Sequence, residues 1–78
     1  MMVFEKVTLP VARKIAGMTQ IGLATAMNVS ESTVINWEKG RSEPTVTQAI
    51  QIAEVVGRPL DSIIFLPKNA VKPQKESE

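Results

Sequence analysis

The chain has 78 residues and a mass of 8.5 kDa, a length that fits a single domain. It contains no Cys and no His, which excludes disulfides, thiolate and imidazole metal ligands, and nucleophiles activated by a His base. Its formal net charge of +1 lacks the strongly basic footprint expected of a nucleic-acid binder. We therefore expect neither an enzyme nor a protein that holds a metal or organic cofactor.

The composition indicates a folded chain with an aliphatic core. Apolar residues make up 44% of the chain and charged residues 22%, which argues against disorder. With one Trp, two Phe and no Tyr, the core must consist largely of aliphatic side chains. No apolar run approaches the roughly 20 residues of a membrane span, and residues 1–6 do not resemble a signal peptide. We therefore expect a soluble cytoplasmic protein with no membrane partner.

The first predicted helix is short and follows an N-terminal arm. Pro10 suits the first turn of this helix, where its missing N–H removes no intrahelical hydrogen bond. The helix is predicted to run through Ala16, and Gly17 can end it. In the arm, residues 1–8, apolar and polar side chains alternate imperfectly. A strand, a turn and an irregular conformation all stay open for the arm.

Two further helices follow, with a tight connection between them. The second is predicted over residues 20–27, with Thr19 as its N-cap, and Asn28, which accepts a positive φ at low cost, can close it. Ser30 is the predicted N-cap of the third helix, over residues 31–39. The three connecting residues, 28–30, require a sharp turn between two packed helices.

The fourth helix is predicted over residues 46–56. Thr45 and Gln48 have the spacing of a capping box at its start, so each side chain can bond to the other's backbone N–H. Its buried face is predicted to be an apolar stripe of Ala49, Ile50, Ala53 and Val56.

A fifth short helix is predicted over residues 60–66, between Pro59 and Pro67. Residues 67–78 are polar and lack a periodic apolar face, so we expect a flexible C-terminal tail. The sequence therefore predicts a compact all-α domain of five helices over residues 9–66, flanked by the arm and the tail.

A specific residue string spans the second and third helices. Residues 19–40 read Thr-Gln-x-x-Leu-Ala-x-x-Met-Asn-Val-Ser-x-x-Thr-Val-x-x-Trp-Glu-x-Gly. This string resembles the Cro and phage-repressor type of helix-turn-helix domain, also called the XRE type, and the similarity covers roughly residues 9–66. The resemblance implies a lambda-repressor-like fold and sequence-specific binding of double-stranded DNA.

The third helix holds the candidate base-reading residues. By resemblance, Glu31, Ser32 and Asn36 occupy the family's base-contacting positions, and their side chains suit the edges of cytosine and adenine. Ile35 is an additional apolar residue on the same face and can contact a thymine methyl group. Each of these residues also has a role that does not involve DNA. Glu31 can serve only as a first-turn carboxylate that interacts favourably with the helix dipole. Ser32 and Asn36 can be ordinary solvated surface, and Ile35 can contact another protein.

The candidate phosphate contacts lie around this helix. By resemblance, Gln20 at the start of the second helix holds a phosphate and braces the recognition helix. Lys39 and Arg41 flank Gly40, where the chains of the family run along the DNA backbone. Lys14 and Ser42 are weaker candidates. An ordinary solvated surface is the alternative for each charge.

Arg13 and Glu38 are expected to serve the fold. The resemblance implies a partly buried structural ion pair between the first helix and the end of the recognition helix. The chain departs from the family pattern at Ile21 and Gly22, where two polar helix formers are usual. Ile21 is then an exposed apolar residue, and Gly22 lowers helix stability by about 1 kcal/mol relative to Ala.

The expected function is transcription regulation, most simply as a repressor in a bacterial or phage-infected cell. Members of this type usually bind palindromic operators as homodimers. The last predicted helix holds the candidate dimer interface, namely Ile63, Ile64, Phe65 and Leu66, with closure of the core as the alternative role. The competing hypothesis is a protein-interaction module of the same fold, such as an antitoxin or phage accessory factor.

Overall fold

The computed structural model describes residues 4–66, and four α-helices form most of this part of the chain. The helices are α1 (Leu9–Ile15), α2 (Gln20–Met27), α3 (Glu31–Glu38) and α4 (Val46–Val56). A two-residue strand, β1 (Val7–Thr8), precedes α1, and a 3-10 turn (Leu60–Ser62) leads into a second strand, β2 (Ile63–Ile64). The start of the predicted arm, residues 1–3, and the predicted flexible tail, residues 67–78, lie outside the described residues.

The prediction of a fifth helix over residues 60–66 is wrong. Only Leu60–Ser62 form a helical turn, and β2 then pairs in parallel with β1, Val7 opposite Ile63 and Thr8 opposite Ile64. Two adjacent β-branched residues favour extended backbone, and the arm supplies the strand with which they pair. Among the conformations left open for the arm, the structure therefore has a strand at its end.

Capping side chains set the starts of α2 and α4 as predicted. The Thr19 hydroxyl accepts from the Gly22 N–H at the start of α2. The capping box of Thr45 and Gln48 is present at the start of α4, with hydrogen bonds of 3.0 and 2.8 Å. These three side chains each accept a hydrogen bond from a backbone N–H that a helix start otherwise leaves unpaired.

The turn between α2 and α3 depends on Asn28. Asn28 has φ 60°, the left-handed conformation that usually requires Gly. It lets the Val29 N–H reach back to the Ala24 carbonyl oxygen at 3.0 Å, which closes the end of α2. Ser30 then begins α3, so the two helices cross within three connecting residues.

The core lies between the four helices and β2. Its buried apolar residues are Leu9, Ala12, Leu23, Ala24, Met27, Val34, Trp37, Ile52, Ala53, Val56 and Ile63. Trp37 is only 4% exposed, so the single Trp is a core residue. Within residues 4–66, none of the helices is long and apolar enough to cross a membrane.

The predicted inward stripe of α4 is wrong at Ile50, which is 46% exposed. The buried face of α4 consists of Ile52, Ala53 and Val56. At 3.6 residues per turn, Ile50 lies about 160° around the helix from the buried Ile52 and so points away from this face. Val46 is 76% exposed one turn earlier on the same side, which leaves two large apolar side chains outside the core.

Candidate nucleic-acid interface

Helix α3 presents the predicted base-reading residues on the side opposite its buried face. Val34 and Trp37 are buried, whereas Glu31 and Ser32 are exposed. Ile35 and Asn36, one turn further along, are half-buried. The structure thus brings the predicted readers together on one face of one helix, which is the geometry that a major groove accepts.

The start of α3 fixes the direction of this face. Ser30 accepts a hydrogen bond from the Thr33 N–H at 3.2 Å and also bonds to the Thr33 hydroxyl. Glu31 occupies the first turn, where a carboxylate is favoured by the helix dipole. Because its side chain is exposed, Glu31 is also accessible to a base edge. The interaction with the helix dipole and a contact to a base are therefore compatible.

The end of α3 brings the cationic candidates next to the reading face. Gly40 has φ 75°, so the Arg41 N–H turns back to the Asn36 carbonyl oxygen at 2.9 Å. The Ser42 N–H also reaches that oxygen, at 3.4 Å. Lys39 and Arg41 are exposed around this turn, and Ser42 is half-buried.

A contact that the sequence did not predict joins a phosphate candidate to a base-reading candidate. The Arg41 Nη1 lies 3.5 Å from the Asn36 Oδ1, a long and weak hydrogen bond. Because Arg41 donates to the carbonyl end of the amide, the Nδ2 end of Asn36 faces the other way. The sequence feature that could have indicated this contact is Gly40, because a turn at this glycine brings Arg41 back to Asn36.

Arg13 and Glu38 form a buried ion pair between α1 and α3. The Arg13 Nε lies 2.6 Å from the Glu38 Oε2, and the Nη2 lies 3.3 Å from the Oε1. The two side chains are only 9% and 5% exposed. The Arg13 Nη1 also donates to the Met18 carbonyl oxygen at 2.9 Å. One guanidinium therefore ties the end of α1, the α1–α2 connection and the end of α3 together.

Gln20 extends this network to the start of α2. Its Nε2 donates to the Glu38 Oε1 at 3.0 Å, and its side chain is half-buried. Gln20 therefore braces α3 through Glu38, a partner that the sequence did not indicate. The two residues are 18 positions apart, and only the packing of α2 on α3 makes them neighbours.

Charges around the candidate interface are nearly balanced. Lys14, Lys39 and Arg41 supply positive charge, and Glu31 and Glu43 supply negative charge, all on exposed positions. Arg13 and Glu38 neutralise each other inside the fold. Within residues 4–66, no group of three or more acidic residues is arranged to hold a metal ion.

The candidate dimer residues have different surroundings. Ile63 is 6% exposed and belongs to the core, whereas Ile64, its neighbour in β2, is 44% exposed. Phe65 and Leu66 are half-buried and line an open groove of about 310 Å³. The rest of its wall comes from the loop before α4 and the first turns of that helix, namely Glu43, Pro44, Thr45, Val46 and Ala49.

Two short helices joined by a three-residue turn, with an outward polar face on the second, define a helix-turn-helix domain. A profile of the family described as Helix-turn-helix matches residues 12–63, so the chain belongs to this family. The resemblance to XRE-type domains is thereby confirmed. A relative from Methanothermobacter thermautotrophicus, named an uncharacterized HTH-type transcriptional regulator, is 38% identical over 61 residues. The match covers 77% of this chain and 88% of the relative.

Proposed function

We propose that the chain is a transcription regulator that binds double-stranded DNA at specific sequences. The single observation that carries this function is the outward face of α3, on which Glu31, Ser32 and Asn36 lie opposite the buried Val34 and Trp37. Membership of the helix-turn-helix family and the relative named as an HTH-type transcriptional regulator support it. The function places the chain with DNA in the cytoplasm.

In this proposal α3 enters the major groove. Asn36 offers an acceptor and a donor, the pair that matches the N6 and N7 edge of adenine. Glu31 accepts from a cytosine amino group, Ser32 bonds to either type of base, and Ile35 contacts a thymine methyl group. A bidentate contact of this kind contributes about 1–3 kcal/mol of discrimination against the wrong base pair.

Phosphate contacts then set the position of α3 in the groove. Lys39 and Arg41 meet one stretch of backbone next to the end of α3, and Ser42 adds a hydroxyl donor there. Gln20 and Lys14 meet the backbone near the start of α2. Such contacts contribute affinity and register without reading sequence.

We propose a homodimer that represses by occupying a palindromic operator and excluding polymerase. Two recognition helices one DNA turn apart, about 34–36 Å, require a second copy of the domain. Ile64, with Val46 and Ile50 of α4, supplies exposed apolar surface for that contact. Phe65 and Leu66 are half-buried and line the groove next to Val46. Ile63 supports it only indirectly, because it already packs in the core.

Alanine replacement of Asn36 tests base reading. We expect Asn36→Ala to weaken binding to the preferred duplex by about 1–3 kcal/mol and to relax the preference at one base pair, because the bidentate contact is lost. Arg41→Ala is the comparison: it should weaken binding to all sequences alike and reduce the salt dependence. Gln51→Ala, exposed on α4, is the control. Titration of fluorescent duplexes measures the DNA affinity of the wild type and the three variants. Unchanged affinity in both Asn36→Ala and Arg41→Ala contradicts the proposal.

A protein-interaction module is the second candidate, and exposed apolar residues favour it. Ile15 and Ile21 are 64% and 60% exposed, and neither is needed for the core. In an antitoxin or phage accessory factor they would contact a protein partner. The two test variants separate the candidates: retained partner binding with lost DNA binding supports the regulator, and the reverse supports the module.

A further inference from the structure

The buried carboxylate of Glu38 touches a residue that is proposed to hold DNA. Glu38 accepts three hydrogen bonds, two from Arg13 and one from the Gln20 Nε2. A carboxylate next to a phosphate site is unfavourable on electrostatic grounds, since both groups are anionic. Its presence at this position therefore calls for a role that an apolar residue could not fill.

The contact fixes which end of the Gln20 amide faces inward. An ionised carboxylate accepts hydrogen bonds and cannot donate, so only the NH₂ end of the amide can face Glu38. One Nε2 hydrogen is used at 3.0 Å, which leaves the second Nε2 hydrogen and the Oε1. A phosphate oxygen is also an acceptor, so it can use only that second hydrogen.

Arg13 offsets the repulsion between the Glu38 carboxylate and a nearby phosphate. Its guanidinium meets both carboxylate oxygens of Glu38, at 2.6 and 3.3 Å, and both side chains are more than nine-tenths buried. The pair is neutral as a unit, so Gln20 is held by an acceptor whose charge is cancelled. Paired geometry of this kind is rigid, because the guanidinium fork matches the carboxylate.

We propose that Glu38 is a positioning residue for DNA binding, which holds the Gln20 carboxamide by one hydrogen and thereby directs the other to a backbone phosphate. This inference rests on the proposed function, since it assigns a role within the same interface. It gives the buried ion pair a second task besides stability. Glu38 acts through Gln20 and does not itself contact DNA.

Replacement of the whole ion pair separates positioning from folding. The variant Arg13→Met with Glu38→Leu keeps the net charge of the chain and fills similar volume with apolar side chains. Exchanges of this type are often neutral or stabilising. Gln20 remains but loses the acceptor that orients it. A cycle of four proteins follows: wild type, Gln20→Ala, the pair replacement, and the pair replacement with Gln20→Ala.

Duplex DNA titrations of the cycle, at a temperature where melting curves show all four proteins folded, test the inference. We expect Gln20→Ala and the pair replacement each to weaken binding about 3- to 10-fold, the value of one directed hydrogen bond. Adding Gln20→Ala to the pair replacement should cost little more, because the directed donor is already lost. Equal cost of Gln20→Ala in both backgrounds overturns the inference while leaving the proposed function intact. No duplex binding by the wild type overturns both.

A second measurement needs no variant and covers the case in which the pair replacement does not fold. The two Nε2 hydrogens of Gln20 give separate signals in an ¹⁵N-correlated NMR spectrum of the wild type. We expect the hydrogen bonded to Glu38 to keep its position when duplex DNA is added and the other hydrogen to shift. A shift confined to the bonded hydrogen, or no shift in either, overturns the inference.

Discussion

At the scale of single residues, Arg13 and Glu38 form a buried ion pair that makes several hydrogen bonds at once. The pair is buried, bidentate and linked to a backbone carbonyl oxygen through the Arg13 Nη1. Removal of one partner leaves a charge in a place that water reaches poorly, which is more costly than removal of both. The effect of a single change at this pair should therefore exceed that of any exposed charge.

We expect Glu38→Ala to lower the free energy of unfolding by about 3–5 kcal/mol, because it leaves the Arg13 guanidinium buried without its partner. Thermal and urea unfolding measure the loss. Glu54→Ala, an exposed position on α4, is the matched control and should change the free energy by less than about 0.5 kcal/mol. Sequence preference should be unaffected at temperatures where the variant is folded. Unchanged melting together with lost DNA binding would contradict the structural role of this pair.

At the scale of elements, the pairing of β2 with β1 determines which side chains are buried at the end of the domain. Ile63 and Ile64 are adjacent, have the same side chain and pair with the same strand. One points into the core and the other outward, with exposures of 6% and 44%, because successive side chains of a strand alternate. The two positions therefore offer a matched comparison of core burial with surface exposure.

Ile63→Ala should lower the free energy of unfolding by about 2–4 kcal/mol, since it opens a cavity beneath β2. Ile64→Ala should cost less than about 1 kcal/mol in the same urea titration, because its side chain is already partly in water. In the proposed dimer the order reverses: Ile64→Ala should weaken self-association in sedimentation experiments. Equal destabilisation by the two variants would show that this strand is not placed as described.

The elements also show how far local sequence signals reach. Caps predicted α2 and α4 to the residue, because Thr19 and the Thr45–Gln48 box act within one turn of the helix that they begin. The end of the domain was predicted as a helix, because the sequence of residues 60–66 does not reveal that Val7 and Thr8 supply a partner strand.

In the candidate interface too, local features were predictable from the sequence and contacts between distant residues were not. The sequence predicted which side chains of α3 share an outward face, since helical periodicity alone determines this. It did not predict the hydrogen bonds from Gln20 to Glu38 and from Arg41 to Asn36. The first depends on the packing of two helices, and the second on the turn at Gly40 that ends α3. Exposure of Ile50 was missed because an apolar residue at the edge of a stripe is assigned to the core by pattern.

At the scale of the whole molecule, the net charge of +1 limits how the chain can bind DNA. Within residues 4–66, Lys14, Lys39 and Arg41 are the exposed cations assigned to the proposed interface, and Arg13 is occupied by Glu38. The proposed DNA binding therefore relies on directed hydrogen bonds, such as the one proposed for Gln20, and on the proposed second subunit.

We expect a shallow salt dependence of DNA binding. Release of counterions by Lys14, Lys39 and Arg41 gives a slope of log K against log salt no steeper than about −3 per subunit. Duplex titrations between about 50 and 200 mM salt measure this slope. Lys39→Ala should reduce the slope by about one, and Lys6→Ala, exposed in the arm, should leave it unchanged. A much steeper slope would mean that phosphate contacts extend beyond these residues.

Selection of binding sites from random duplex DNA at a fixed salt concentration examines sequence-specific binding and dimer symmetry in one experiment. We expect enrichment of a palindrome whose two half-sites lie about 10–10.5 base pairs apart, one turn of DNA. The Asn36→Ala variant should lose the preference at one position of each half-site. Recovery of DNA with no common sequence would contradict specific binding by this domain and would favour the protein-interaction module.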